Sequence, residues 1–273
     1  EVHAVVGENG AGKTTLINIL NGAYISDTGY FEFDSVQYTR TTPEKMLDNG
    51  LAVIHQELAL VETLSVMENI YLSSLGGKNG FFTRKRSELA ASASEILDSL
   101  GCPIDPWANV ETLSTSKRQL VEIAKALVFD PKLLVMDEPT AALTHSETEH
   151  LFSIIRKLKI RGISIIFISH RLNEVFAISD KITALRDGKY VGTVDTANVV
   201  IPDVVKMMVG REIELYEKQT TSESKRKEIL RIEGLTKKPH FEGISFGCMT
   251  GEVLCFSGLV GSGRSELMQT IFG

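Results

Sequence analysis

Four uninterrupted apolar runs of strand length mark the first two thirds of the chain: VHAVV at 2–6, LAVIH at 51–55, KLLVMD at 132–137 and SIIFIS at 164–169. A strand with one wet face alternates apolar and polar residues, so unbroken runs predict strands covered on both faces of a mainly parallel sheet. Longer stretches with helical spacing separate them, which makes this an α/β chain. From about Val61 to Asn109 the pattern is mostly helical. Its clearest member is TRKRSELAASASEILDSLG (83–101), rich in Ala and Leu and ending on Gly101 as a stop. An inserted helical subdomain is expected at about 61–130. Asp187-Gly188 is a turn dipeptide between two strand-like runs and predicts a hairpin. The helix-like IPDVVKMMVG (201–210) closes a first domain at 1–210.

Residues 211–228, REIELYEKQTTSESKRKE, are polar, charged and aperiodic, and read as a linker. Beyond the linker the chain repeats its own beginning. EVHAVVGENGAGKTTLINILNG (1–22) and EVLCFSGLVGSGRSELMQTIFG (252–273) align without a gap, pairing Gly7 with Gly258, Gly10 with Gly261, Gly12 with Gly263 and Leu16 with Leu267. In both, an apolar strand is expected before a glycine-rich loop and a helix after it. A second copy of the domain is therefore expected to begin at 229 and to be present only in its opening part, 229–273. The chain starts at Glu1 without Met and with a strand at once, so a longer protein cut at both ends is the expectation.

The first loop carries chemistry. GENGAGKT (7–14) has the form G-x-x-x-x-G-K-[ST]: Gly7, Gly10 and Gly12 let backbone amides turn inward around phosphates, Lys13 reaches the β and γ phosphates, and the Thr14 hydroxyl suits Mg2+. Glu8, Asn9, Ala11 and Thr15 complete the expected phosphate-binding set. The helix from Lys13 to Leu20 points its positive end at the anion. KLLVMDEPT then places Asp137 at the tip of a buried strand, where a magnesium ligand belongs, with Glu138 next to it as a general base for water. Taken alone, Asp-Glu after an apolar run also reads as a strand end meeting solvent. The loop at Gly7 favours the site.

Composition narrows the field only slightly. With 43% apolar residues in 273 the chain can bury a sizeable core, and a net charge of −6 argues against a nucleic-acid-coating surface. Cys102, Cys248 and Cys255 are too scattered for a disulfide framework or a Cys-x-x-Cys metal site. No apolar run approaches the roughly 18 residues of a membrane span.

Five motifs in order resemble the ATP-binding cassette ATPases: GENGAGKT, HQE with Gln56, LSTSKRQ from Leu113, LLVMDEPT followed by AALT, and ISH with His170. That resemblance implies a P-loop NTPase fold with a mainly parallel core sheet, an antiparallel β subdomain and the helical insertion, lacking its N-terminal strands and the adenine-stacking aromatic they would carry. It implies that Gln56 contacts Mg2+ or the water, that His170 binds the γ phosphate, that Ala141 to Thr144 cross a seam between paired cassettes, and that Ser114 faces the nucleotide of the other cassette. Within the family, VIHQEL, VMENIYL, VEIAKAL, ISHRLNEVFAISDKITALRDG and MMVGRE are similar to the ATPase subunits of bacterial monosaccharide importers, with two cassettes per chain. IDPWANVETLS and FSIIRKLKIRG lean toward the galactose or methyl-galactoside branch.

The partners so implied are transmembrane permease subunits, a periplasmic sugar-binding protein and the second cassette, with no nucleic acid. The place implied is the cytoplasmic face of the bacterial inner membrane, as a peripheral subunit. Two departures set the sites apart. Arg264 stands at the lysine position of the second loop, and Thr115, Ser116 and Lys117 stand where the family prefers glycine, glycine and glutamine, so one competent and one degenerate ATP site are expected. Other readings are a tandem-cassette ATPase acting on ribosomes or DNA, a transporter of a nucleoside or autoinducer-type sugar derivative, and a nucleotide-binding module with little hydrolysis.

Overall fold

The computed structural model describes residues 1–74, 85–210, 227–258 and 261–273. It divides into two compact units, Glu1–Ile213 and Glu214–Gly273. Most of the expected linker, 211–226, lies outside the described residues, as do Thr83 and Arg84 of the predicted helix and Leu259 and Val260 of the second loop.

The first unit opens with β1 (Val2–Val6) and α1 (Lys13–Leu20), then a short antiparallel pair, β2 (Phe31–Phe33) and β3 (Val36–Tyr38), and α2 (Pro43–Asp48). Next come β4 (Leu51–Ile54), α3 (Val66–Tyr71), α4 (Arg86–Ser99) and α5 (Thr115–Leu127), followed by β5 (Leu133–Asp137), α6 (His145–Ile160), β6 (Ser164–Ile168) and α7 (Leu172–Ile178). The hairpin β7 (Lys181–Arg186) and β8 (Lys189–Asp195) and the helix α8 (Ile201–Val209) end it. All four apolar runs are strands.

They join one six-stranded sheet in the order β4-β5-β6-β1-β7-β8, parallel except for β8. The parallel pairs β4-β5 and β5-β6 are joined through helices, and β1 is inserted between β6 and β7, far from both in sequence, so helices cover the sheet and the strands read as continuous apolar runs because neither face is wet. Asp187 and Gly188 both take positive φ, 51° and 72°, as the tight hairpin between twisted strands requires.

Helix ends follow sequence rules. Ser65 with Glu68, and Thr144 with Glu147, form capping boxes at the starts of α3 and α6. After α4 the chain turns on Gly101, φ 75°, the expected stop. The helical segment α3–α5 shares one core with β4–β6 and α6, built from residues such as Met67, Leu97 and Ile123. At its centre Phe152 of α6 and Phe167 of β6 meet edge to face, ring centroids 6.1 Å apart. Two smaller clusters pack α7 and α8 against β1 and β7, and α1 with the β2–β3 pair against the sheet.

The second unit contains the antiparallel pair β9 (Glu228–Lys237) and β10 (Phe241–Met249), and α9 (Arg264–Phe272). The strand expected before the second loop is corrected by the structure: the segment 252–257 has no strand conformation. A strand exists only as part of a ladder. Its counterpart β1 is hydrogen-bonded on both sides, by β6 and β7, whereas 252–257 has no such neighbour among the described residues.

Candidate active site

Sheet register alone gathers the chemistry at one edge. Val5 of β1 and Asp137 of β5 both pair with Ile168 of β6, and Ile54 of β4 pairs with Met136. Gly7, Glu138, His170 and Gln56 each follow within one or two residues of those positions, at the carboxyl ends of adjacent parallel strands. This is where open α/β sheets bind ligands.

The loop after β1 is shaped by close approach and by backbone sign. A Cβ on Gly7 would lie 2.5 Å from the Leu185 carbonyl oxygen and 2.8 Å from the Ala11 Cβ, so glycine is required for space. Gly10 and Gly12 have φ of 84° and 96°, left-handed values that side-chain-bearing residues rarely adopt. Gly12 precedes α1, whose free N–H groups face the loop's concavity. Lys13 as a residue is 8% exposed, and its ammonium donates to the carbonyls of Gly7 (2.8 Å) and Glu8 (3.0 Å), which holds it against the loop.

Asp137 is buried at the end of β5. Burial pushes its carboxyl above the usual carboxylate range, the adjacent Glu138 charge adds to this, and His55 and Lys13 oppose it. Glu138 sits at φ 47°, a left-handed conformation that costs a non-glycine residue about 1–2 kcal/mol. Its N–H donates to the Ile168 carbonyl (2.9 Å), which anchors the turn. Its Oε1 lies 3.0 Å from Nδ1 of His170, a contact whose donor depends on the imidazole tautomer. Strain held at such a residue is a feature of functional positions.

These pieces line one open cleft of about 940 Å³: Gly7 to Gly10, Gly12 to Thr15, Gln56, Asp137, Glu138 and His170. Ala11, expected among them, is buried behind the loop. Ser114 lies outside the cleft, as the cap of α5, where its side chain accepts from the Lys117 N–H. Sequence reasoning missed Met208 of α8, which lines the cleft, and His55 beside Asp137. Nothing in the helical pattern of 201–210 distinguishes a methionine facing a ligand from one facing the core.

The donor set fits magnesium. A hydroxyl (Thr14), an amide oxygen (Gln56) and one carboxylate (Asp137) are hard oxygen ligands, and Asp137 is a buried carboxylate beside a second carboxylate, an arrangement that a cation relieves. No group of three His, Cys, Asp or Glu residues suited to a metal occurs among the described residues. Few protein carboxylates suit an ion that keeps its waters and takes oxygens from a phosphate. In the second unit, Gly261 and Gly263 have φ of 83° and 81°, like Gly10 and Gly12, and α9 starts on Arg264.

A cleft of this kind, built by a phosphate loop and two strand-end carboxylates on a mainly parallel sheet, defines a P-loop nucleotide-binding domain. The chain belongs to the ABC transporter family, whose model matches residues 1–141, more than half of it. Over its whole length it is 46% identical to a protein of Agrobacterium fabrum named for ribose, galactose and methyl galactoside import, and 44% identical to the ribose import ATP-binding protein RbsA of Bacillus licheniformis. It covers 54% and 55% of those proteins, so it spans about half the length of the curated relatives it matches. Among solved structures, the ADP conformation of an ATP-binding cassette of an ABC transporter matches with a TM-score of 0.67 and 26% identity, covering 77% of this chain and 88% of that one.

Proposed function

We propose that this chain is part of an ATP-hydrolysing subunit that powers import of a monosaccharide, of ribose or galactose type, across a bacterial inner membrane. The supporting observation is the single cleft that brings the loop from Gly7 to Thr15 together with Gln56, Asp137, Glu138 and His170. In this reading residues 1–210 form the first cassette, 211–228 the linker and 229–273 the opening of a second. The protein acts peripherally at the cytoplasmic face, with transmembrane permease subunits and, through them, a periplasmic sugar-binding protein.

The loop amides and the end of α1 bind the phosphates, and Lys13 turns from its carbonyl partners toward the β and γ oxygens. Thr14, Gln56 and Asp137 would hold magnesium, which when bound would neutralise phosphate charge. Glu138 takes the proton of the attacking water at its carboxylate, and His170 braces Glu138 while reaching the γ phosphate. Phosphoryl transfer asks mainly for positioning and charge stabilisation, and these residues supply both. Hydrolysis is confined to this site. The second loop keeps a charge in Arg264 but not the compact ammonium, and the opposing signature has Thr115 and Ser116 in place of glycines.

The test is uptake. The full-length protein and its permease, reconstituted in vesicles, should accumulate labelled ribose or galactose only with ATP on the protein's side, and the protein should cofractionate with vesicles only when the permease is present. Equal binding to permease-free vesicles, or no ATP-dependent uptake of any monosaccharide, would count against the importer.

A further inference from the structure

Two loops, one carrying Glu138 and the other His170, are tied together by hydrogen bonds that the motifs do not account for. The Glu174 carboxylate, on the first turn of α7, accepts from both hydroxyls nearest the pair through one oxygen: Oε2 takes the Thr140 Oγ1 and, at 3.2 Å, the Ser169 Oγ. Its other oxygen accepts from the Arg171 guanidinium at 3.1 Å. Arg171 goes on to donate to the carbonyls of Thr140 (3.3 Å) and Ala141 (3.2 Å), while its backbone N–H donates to Ser169 Oγ at 3.0 Å. Thr140 and Ser169 are 1% and 2% exposed, so both hydroxyls depend on protein partners.

This ring closes around the reacting groups. Thr140 is two residues after Glu138 and Ser169 one before His170, so each bond to Glu174 fixes one end of the 3.0 Å contact between them. Glu138 needs such a brace, because its left-handed backbone is intrinsically unfavoured and persists only where the surroundings hold it. We propose that Glu174 and Arg171 are positioning residues that clamp the 138–141 turn to the 169–171 turn and so hold Glu138 and His170 in register for water activation. Neither side chain lines the cleft, so the clamp acts on turnover and leaves nucleotide binding to the loop at Gly7. The proposal rests on the reading of Glu138 and His170 as the hydrolytic pair.

The experiment uses the full-length protein with Glu174→Ala, Arg171→Lys and Thr140→Val, measured in four ways: steady-state ATP turnover, affinity for a fluorescent ATP analogue, amide hydrogen exchange without nucleotide, and thermal midpoint. A misplacement of about 1 Å at a reacting group costs on the order of a hundredfold, so kcat should fall at least about tenfold while nucleotide affinity stays within about twofold. Exchange at the amides of 140–142 should quicken while the β5 amides stay protected. Thr140→Val keeps the shape of the site and Arg171→Lys keeps the charge, so the test stands even if Glu174→Ala fails to fold. Turnover within about twofold of wild type in both conservative variants, or turnover lost only in step with affinity and thermal midpoint, would overturn the clamp. A wild type without turnover would remove the hydrolytic reading instead, and unchanged exchange at 140–142 would still overturn the clamp by itself.

Discussion

Replacing Gly7 by alanine isolates one physical requirement of the phosphate loop. Its backbone takes no left-handed φ, so alanine meets no conformational penalty there; the obstacle is space. The new Cβ would fall 2.5 Å from the Leu185 carbonyl oxygen and 2.8 Å from the Ala11 Cβ. Leu185 sits at a register shift of the β7–β8 hairpin and is backbone of the central sheet, so it is the loop that has to give way. Restoring an ordinary contact of about 3.5 Å requires a displacement of about 1 Å. Overpacking of that kind costs about 1–3 kcal/mol in stability, and a shift of that size at phosphate-holding amides costs about a hundredfold in turnover. Gly10→Ala is the control: nothing lies within 4 Å of its Cβ, but φ is 84°, so its cost is backbone strain of about 1–2 kcal/mol. Urea melts and ATP turnover on the full-length protein give both numbers. Gly7→Ala with turnover within about threefold of wild type would refute the close-approach reasoning.

Asp137→Asn should raise thermal stability near neutral pH while abolishing magnesium-dependent turnover. The folded-state pKa of Asp137 lies above its ordinary 3.8, so ionisation favours the unfolded chain; the variant's advantage is full above the raised value and closes as pH falls to 3.8, which melts across pH will test. A variant no more stable than wild type at pH 7 would contradict the buried-charge account. Phe152→Ala should cost about 3–5 kcal/mol in urea unfolding, since it removes a 1% exposed ring stacked edge to face on Phe167. A loss under about 1 kcal/mol would place Phe152 outside the core.

Much of this was legible in the sequence because the signals are local. The strands β1, β4, β5 and β6 coincide with four unbroken apolar runs, and a phosphate loop is a contiguous string. Asp137 and Glu138 are marked by the apolar run they end, whereas Gln56 and His170 enter only through the family resemblance; the structure brings all four to the carboxyl edge that parallel strands share. Other features depend on contacts distant in sequence. Gly7 approaches Leu185 through the β1–β7 pairing, which no window around either residue contains. Arg171 and Glu174 read as an ordinary i,i+3 surface pair, and their meaning comes from Thr140 on another loop. The segment 252–257 has the composition of a strand but no strand to bond with among the described residues, and composition cannot supply a ladder.

If one hydrolytic centre, built on Glu138 at the cleft, accounts for ATP turnover, then Glu138→Gln in the full-length protein, assembled with the permease subunits proposed above, is the most direct measurement of it. Turnover should fall to background while ATP binding persists, because the amide keeps the shape of the site and loses the base. Substantial hydrolysis remaining in that variant would mean that the second site, or another base, does the chemistry.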